Sequence, residues 1–174
     1  VIIGKNIVFM ALKKFPAFNT LWSSYPHDSA APPGSAHAMP CDEKDRNGFY
    51  HYENQCAIRM SHCLIKAGIS LSNYTDPKCK HGYARGAESL ATWIWRNFGK
   101  PVQIACSNAR QKNDFLTNQY WSKNGIIFFK DFYGTNNTGD HIDLLYHVNT
   151  QIMTATGDYT NDSRVKEIWF WEVN

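Results

Sequence analysis

One stretch limits what this chain can fold into. The run Glu53-Asn54-Gln55-Cys56-Ala57-Ile58-Arg59-Met60-Ser61-His62-Cys63-Leu64-Ile65-Lys66-Ala67-Gly68 reads as an amphipathic helix that opens on a cysteine. On a wheel of ~3.6 residues per turn, Cys56, Ala57, Met60, Cys63, Leu64 and Ala67 share one apolar face. Asn54 is a good N-cap, and Gly68 suits the left-handed position after the last turn, so the helix is expected to start about two residues before Cys56. Cysteines on apolar stripes usually serve as inert packing, and mid-helix Cys63 is read that way. Cys56 differs because it sits in the first turn. There, unpaired backbone N–H groups and the positive end of the dipole favour a thiolate and can bind a developing oxyanion.

The rest of the chain supplies a fold large enough to hold such a residue. At 174 residues, one domain can bury a core without metal or disulfide staples. A hydrophobic content of 43%, with 14% aromatic and 19% charged residues, describes an ordered chain rather than a disordered one. Lys and Arg are scattered and the net charge is only +3, so no nucleic-acid-binding stripe is expected. Val1 to Leu12 is apolar but interrupted by Lys5, too short to span a membrane and followed by no small-residue cleavage pattern. Neither a signal peptide nor a membrane span is expected. Residues 1–14 are read as an N-terminal extension or expression remnant, and 15–174 as a single domain.

Pro16 and Pro26 bracket a short helix over Phe18-Asn19-Thr20-Leu21-Trp22. Ser23 to Gly48 is a surface loop, in which His27, His37 and Cys41 lack any recognised zinc-ligand spacing; no metal or other cofactor is expected. A second helix runs from Ala84 to Phe98, with Ala87, Leu90, Ala91, Ile94 and Phe98 on its packing face and a stop at Gly99 and Pro101. Phe115 to Trp121 reads as a short third helix. Beyond it the chain turns to strands: Gly125–Lys130, His141–Val148, Gln151–Thr154 and Lys166–Val173. In the second of these, Ile142, Leu144, Tyr146 and Val148 share one face. His141, Asp143, Leu145 and His147 share the other, expected to meet something polar. Helices first and an antiparallel meander after them give an α+β fold, with the helix of Cys56 packed on a C-terminal antiparallel sheet.

A cysteine at a helix start and a histidine at a later strand start is the layout of papain-like thiol hydrolases. The run Asn54, Cys56, Ile58-Arg59-Met60-Ser61, with Phe18-Asn19 and Trp22 before it, resembles the fourth family of type VI secretion amidase effectors. Gly99-Lys100-Pro101, Gly125-Ile126-Ile127, the strand opened by His141 and the tryptophan-bearing last strand add to the likeness. Members of that family are small NlpC-type papain-like enzymes that bacteria inject into competitors to cut peptidoglycan peptides. The resemblance implies an amidase cutting between γ-D-glutamate and meso-diaminopimelate in the target periplasm, with Cys56 as nucleophile and His141 as general base and later acid. It also implies a third catalytic residue, an aspartate that maps best to Asp158. Asp143 competes locally, but residues i and i+2 on a strand lie ~7 Å apart, too far for a good hydrogen bond. The implied partners are peptidoglycan peptides, the secretion machinery and a cognate immunity protein.

With Cys56 free, Cys41, Cys63, Cys79 and Cys106 leave three possible disulfide pairings. Of these, a bridge between the loop cysteines Cys41 and Cys79 is favoured. Two other functions fit the residues: a non-catalytic wall- or glycan-binding module, and a papain-like peptidase acting on proteins.

Overall fold

The structure, a computed structural model, describes residues 11–26, 39–148 and 151–174, so His27 and His37 lie outside the described residues. The apolar stripe of the cysteine helix dictates what must cover it. Helix α1 (Phe18–Ser24), α2 (Cys56–Lys66) and α3 (Ala87–Phe98) come first, as the sequence predicts. They pack on one face of an antiparallel sheet of β1 (Val102–Ala105), β2 (Gly125–Tyr133), β3 (Gly139–Val148), β4 (Gln151–Thr154) and β5 (Glu167–Glu172). The strand order is β1-β5-β2-β3-β4.

The alternation of side chains along each strand sorts the core into two layers. Ile126 and Phe128 of β2, Ile142 and Leu144 of β3, and Trp169 and Trp171 of β5 join Cys56, Met60, Cys63, Leu64, Leu90 and Ile94 from the helices. Their neighbours Ile127, Phe129, Leu145, Ile168 and Phe170 point to the opposite face. That face is not polar. Helix α4 (Ala109–Phe115), a following π-helical turn at Leu116–Tyr120, and Val165 cover it with Phe115 and Tyr120. Burial on both faces explains why β2 is a nearly continuous apolar run rather than an alternating one.

Helix α2 is buried more completely than its stripe predicts. Ile58, Arg59 and Ser61 are buried as well as the predicted face, because the loops before α2 and α3 wrap its far side. The Ser61 hydroxyl accepts from the Ala84 N–H at 2.9 Å, and this places Ala84 in that loop instead of in α3, which starts at Ala87. Gly68 follows α2 with φ +89°, the left-handed conformation expected of it. Edge strand β1 and helix α4 are additional to the expected elements, and the third helix expected over Phe115 to Trp121 is the π-helical turn at Leu116–Tyr120 that continues α4. Among the described residues no helix is long and apolar enough to cross a membrane.

Gly125 marks the tightest approach in the sheet: a Cβ there would lie 2.1 Å from the Trp171 carbonyl oxygen and 2.7 Å from the Phe170 ring. Gly125→Ala is therefore expected to destabilise the fold by about 2–3 kcal/mol through overpacking, read as a lower urea midpoint with an unchanged m-value.

Candidate active site

The start of α2 is held by side chains on both sides. The Asn54 carboxamide oxygen accepts from the Cys56 N–H at 3.2 Å, while Gln55 occupies the N-cap position. Regular helix thus begins at Cys56 and not two residues earlier, and Asn54, expected at the N-cap, lies one residue before that position and bonds the first helical N–H instead. Its amide nitrogen donates to the Tyr133 hydroxyl at the end of β2. Gln55 is fully buried and clasps the backbone of Cys41, accepting from its N–H at 3.1 Å and donating to its carbonyl at 2.7 Å. Cys56 is 4% exposed, and its sulfur lies 3.8 Å from the carbonyl oxygen of Asp140, the residue before His141.

His141 sits near the start of β3, 7% exposed, with its ring centroid 6.3 Å from that of Phe129 and 5.0 Å from that of Tyr159, the latter in an edge-to-face contact. Its Nε2 is 3.3 Å from Asp143 Oδ2. The two Cα positions are a full strand repeat apart, yet the side chains lean toward each other, which the ~7 Å backbone spacing alone does not anticipate. Asp143 is fully buried and densely hydrogen-bonded. Oδ2 accepts from the Thr156 N–H at 2.7 Å, the Thr156 hydroxyl at 2.9 Å and the Gly157 N–H at 3.0 Å; Oδ1 accepts from the Leu144 N–H at 2.8 Å.

The structure brings Cys56 and His141 together but leaves Asp158 apart from them. Its carboxylate accepts from the Tyr120 hydroxyl at 2.5 Å and the Thr160 N–H at 2.9 Å, tying the loop after β4 to the turn beyond α4. The carboxylate at the histidine is Asp143. Thr156 and Tyr159, which complete the surroundings of His141, carry no sequence signal of their own. Together with Asn54, Arg59 and Tyr133 they line a cleft of about 340 Å³ that reaches His141.

Electrostatics couple these groups. Burial is the largest influence on His141 and lowers its pKa. Hydrogen bonds to Asp143 and Cys56, and the charges of both, outweigh it and raise the pKa from 6.5 to about 9. Burial likewise works to raise the pKa of Asp143, but the bonds to His141 and Thr156 hold it below the usual carboxylate value. With Nε2 turned to Asp143, Nδ1 is the ring nitrogen left for the thiol. The other cysteines show no such arrangement. Cys63 is buried, donates to the Leu21 carbonyl at 3.1 Å, and burial pushes its pKa far up, as expected of packing. Cys41 and Cys79 are free thiols that pack together on Ile58.

A buried cysteine at a helix start, facing a histidine oriented by a carboxylate from an antiparallel sheet, is an arrangement suited to acyl transfer. In sequence, residues 52–171 match the family described as type VI secretion system (T6SS), amidase effector protein 4. The chain belongs to that family of secreted amidase effectors. No curated protein matches it in sequence. In structure it is similar to the type VI effector Tae4 from Enterobacter cloacae, at 18% identity over 95% of this chain and all of that one, with a TM-score of 0.60. It is also similar to the effector Tae4 from Salmonella typhimurium, solved in complex with the immunity protein Tai4 from Enterobacter cloacae. There the identity is 20% over 71% of this chain and 77% of that one, with a TM-score of 0.51. Both likenesses support the α+β fold.

Because the folded-state pKa of His141 lies above its ordinary value, its contribution to stability is complete below pH 6.5 and is lost as pH rises through about 9. The imidazole titration followed by NMR should have its midpoint near 9 in the native chain. Asp143→Asn and Cys56→Ala should each move it down, since each removes one of the partners that raise it. A midpoint unmoved by either change would contradict this coupling.

Proposed function

We propose that the chain is a peptidoglycan DL-endopeptidase of papain-like NlpC type, with residues 15–174 as the catalytic domain, cutting the γ-D-glutamyl–meso-diaminopimelate bond by cysteine–histidine catalysis. The observation that carries the reading is the connected series Cys56, His141 and Asp143 in a chain of an amidase family.

In this mechanism the Cys56 thiolate, paired with the His141 imidazolium, attacks the scissile carbonyl carbon. The oxyanion forms at the N-terminus of α2, where the Asn54 side chain also lines the cleft. His141 then gives its proton to the departing amine, leaving a thioester on Cys56. A water molecule attacks the thioester as His141 takes its proton; the acid departs and the thiolate–imidazolium pair is restored. Asp143 accepts from the imidazole, fixing its tautomer and stabilising the imidazolium. We assign the third catalytic position to Asp143, and to Asp158 the support of the loop that carries Thr156.

The family places the chain among type VI secretion effectors, and the proposed site of action is the periplasm of the target cell. A cell that makes a wall amidase needs protection from it, and the immunity protein bound to the Salmonella relative supports a cognate immunity partner here. A concave cleft around His141 suits blockage by an inserted loop.

Digestion of purified sacculi with product identification by mass spectrometry tests the reading. Cys56→Ala should abolish hydrolysis with the fold retained. His141→Ala should lose comparable activity, and the double variant little more than either, because the groups act as a unit. Asp143→Asn should cost far more activity than Asp158→Asn; the reverse order would return the third role to Asp158. In complex with the immunity protein, Cys56 should be shielded from iodoacetamide, and alkylation at the free rate would rule out occlusion.

A further inference from the structure

A second cluster of reactive side chains lies outside the cleft. Cys41, Glu43, Cys79 and His81 each present a ligand atom, and all four atoms lie within 4.8 Å of one another. They come as two pairs of the same form, Cys41-Asp42-Glu43 and Cys79-Lys80-His81, each offering donors two residues apart. Each pair is set on a short hairpin. The Glu43 backbone carbonyl accepts from the His51 N–H at 2.9 Å beside the bridge between Lys44 and Tyr50. Cys79 exchanges backbone bonds of 2.9 Å with Tyr83 and Gly82 inside the bridge between Lys78 and Ala84. The hairpins are already joined, because the Lys80 N–H donates to Glu43 Oε1 at 2.6 Å.

We propose that Cys41, Glu43, Cys79 and His81 bind one zinc ion, which fastens the two hairpins to the start of α2. Two thiolates, an imidazole and a carboxylate are a zinc donor set, and the soft sulfurs select against magnesium and calcium. Tetrahedral coordination with bonds of roughly 2.0–2.3 Å sets donor separations of ~3.3–3.8 Å, so the cluster closes on an ion by small side-chain adjustments. Binding sends the two thiol protons to solvent and requires no oxidant. His81 Nε2 also lies 3.4 Å from Asp42, a carboxylate of the kind that orients metal-bound histidines. A disulfide between Cys41 and Cys79 would use only half of this set and give Glu43 and His81 no part.

The position gives the ion a purpose. Cys41 is the residue whose backbone Gln55 clasps, and both cysteines pack on Ile58 in the first turn of α2. Order in the hairpins is thereby passed to the end of α2 that holds Cys56, without any ligand entering the cleft.

Elemental analysis of the full chain, produced without a histidine tag and purified under reducing, chelator-free conditions, tests the assignment. About one zinc per chain is expected, lost in Cys41→Ser and Cys79→Ser but kept in Cys106→Ser. His81→Ala alters an exposed residue and leaves the fold in place. It should weaken zinc binding by more than the roughly tenfold to hundredfold that loss of an outer-shell partner costs. Cobalt in place of zinc should give the thiolate charge-transfer bands of a tetrahedral sulfur site. Zinc content equal in the native chain and Cys79→Ser, or a Cys41–Cys79 disulfide in protein prepared this way, would overturn the proposal.

Discussion

The site depends on one buried carboxylate. An ionised aspartate with no exposure to water is costly to bury unless its lone pairs are filled, and Asp143 fills them with the N–H groups of Leu144, Thr156 and Gly157, the Thr156 hydroxyl and the His141 ring. Three of these donors come from the segment after β4. The same charge that raises the His141 pKa therefore also draws the segment 156–157 back over β3. Removing the carboxylate would release the ring and leave three backbone N–H groups, those of Leu144, Thr156 and Gly157, without their acceptor. Chemistry and local folding rest on the same bonds.

Much of this was legible in the sequence wherever periodicity and chemistry agreed. The stripe of α2, its first-turn cysteine and the glycine after it located the helix to within a residue or two. The apolar run of β2 and the alternation of β3 located the strands that face it. Two elements escaped for physical reasons. Strand β1 is short and lies at an edge, with only Ile104 of its four residues buried, so its pattern carries almost no periodic signal. Helix α4 buries only Phe115 and is otherwise polar.

The site was half legible for a related reason. Cys56 and His141 announce themselves by residue type and by position at the ends of elements. The choice between Asp143 and Asp158 turned on side-chain direction, which strand spacing does not fix. A ~7 Å repeat between Cα positions separated His141 from Asp143 on paper; rotamers that tilt along the strand bring the tips to 3.3 Å. The polar face expected for His141 is in fact a second hydrophobic layer. This burial is what makes the contacts of the ring with Asp143 and Cys56 count so strongly.

The β2–β3 ladder is irregular where it meets the thiol. Between Phe129 and Tyr133 the pairing of β2 with β3 shifts register, and Asp131 within the shift takes a positive φ of 55°. The Asp131 N–H, freed from the ladder, donates to the Asp140 side chain at 2.9 Å instead. Asp140 precedes His141, and its carbonyl is the group against which the Cys56 sulfur rests. On the far side of the bulge, Tyr133 reaches the Asn54 amide, whose oxygen caps the Cys56 N–H. The irregular end of the β2–β3 hairpin therefore touches Cys56 from two directions, through its sulfur and through its cap. A regular ladder would retain the histidine but lose the turn that presents Asp140 and Tyr133 to the helix. The bulge thus supplies contacts to the start of α2 that the regular strands around it do not: the Asp140 carbonyl at the sulfur and the Tyr133 hydroxyl at Asn54.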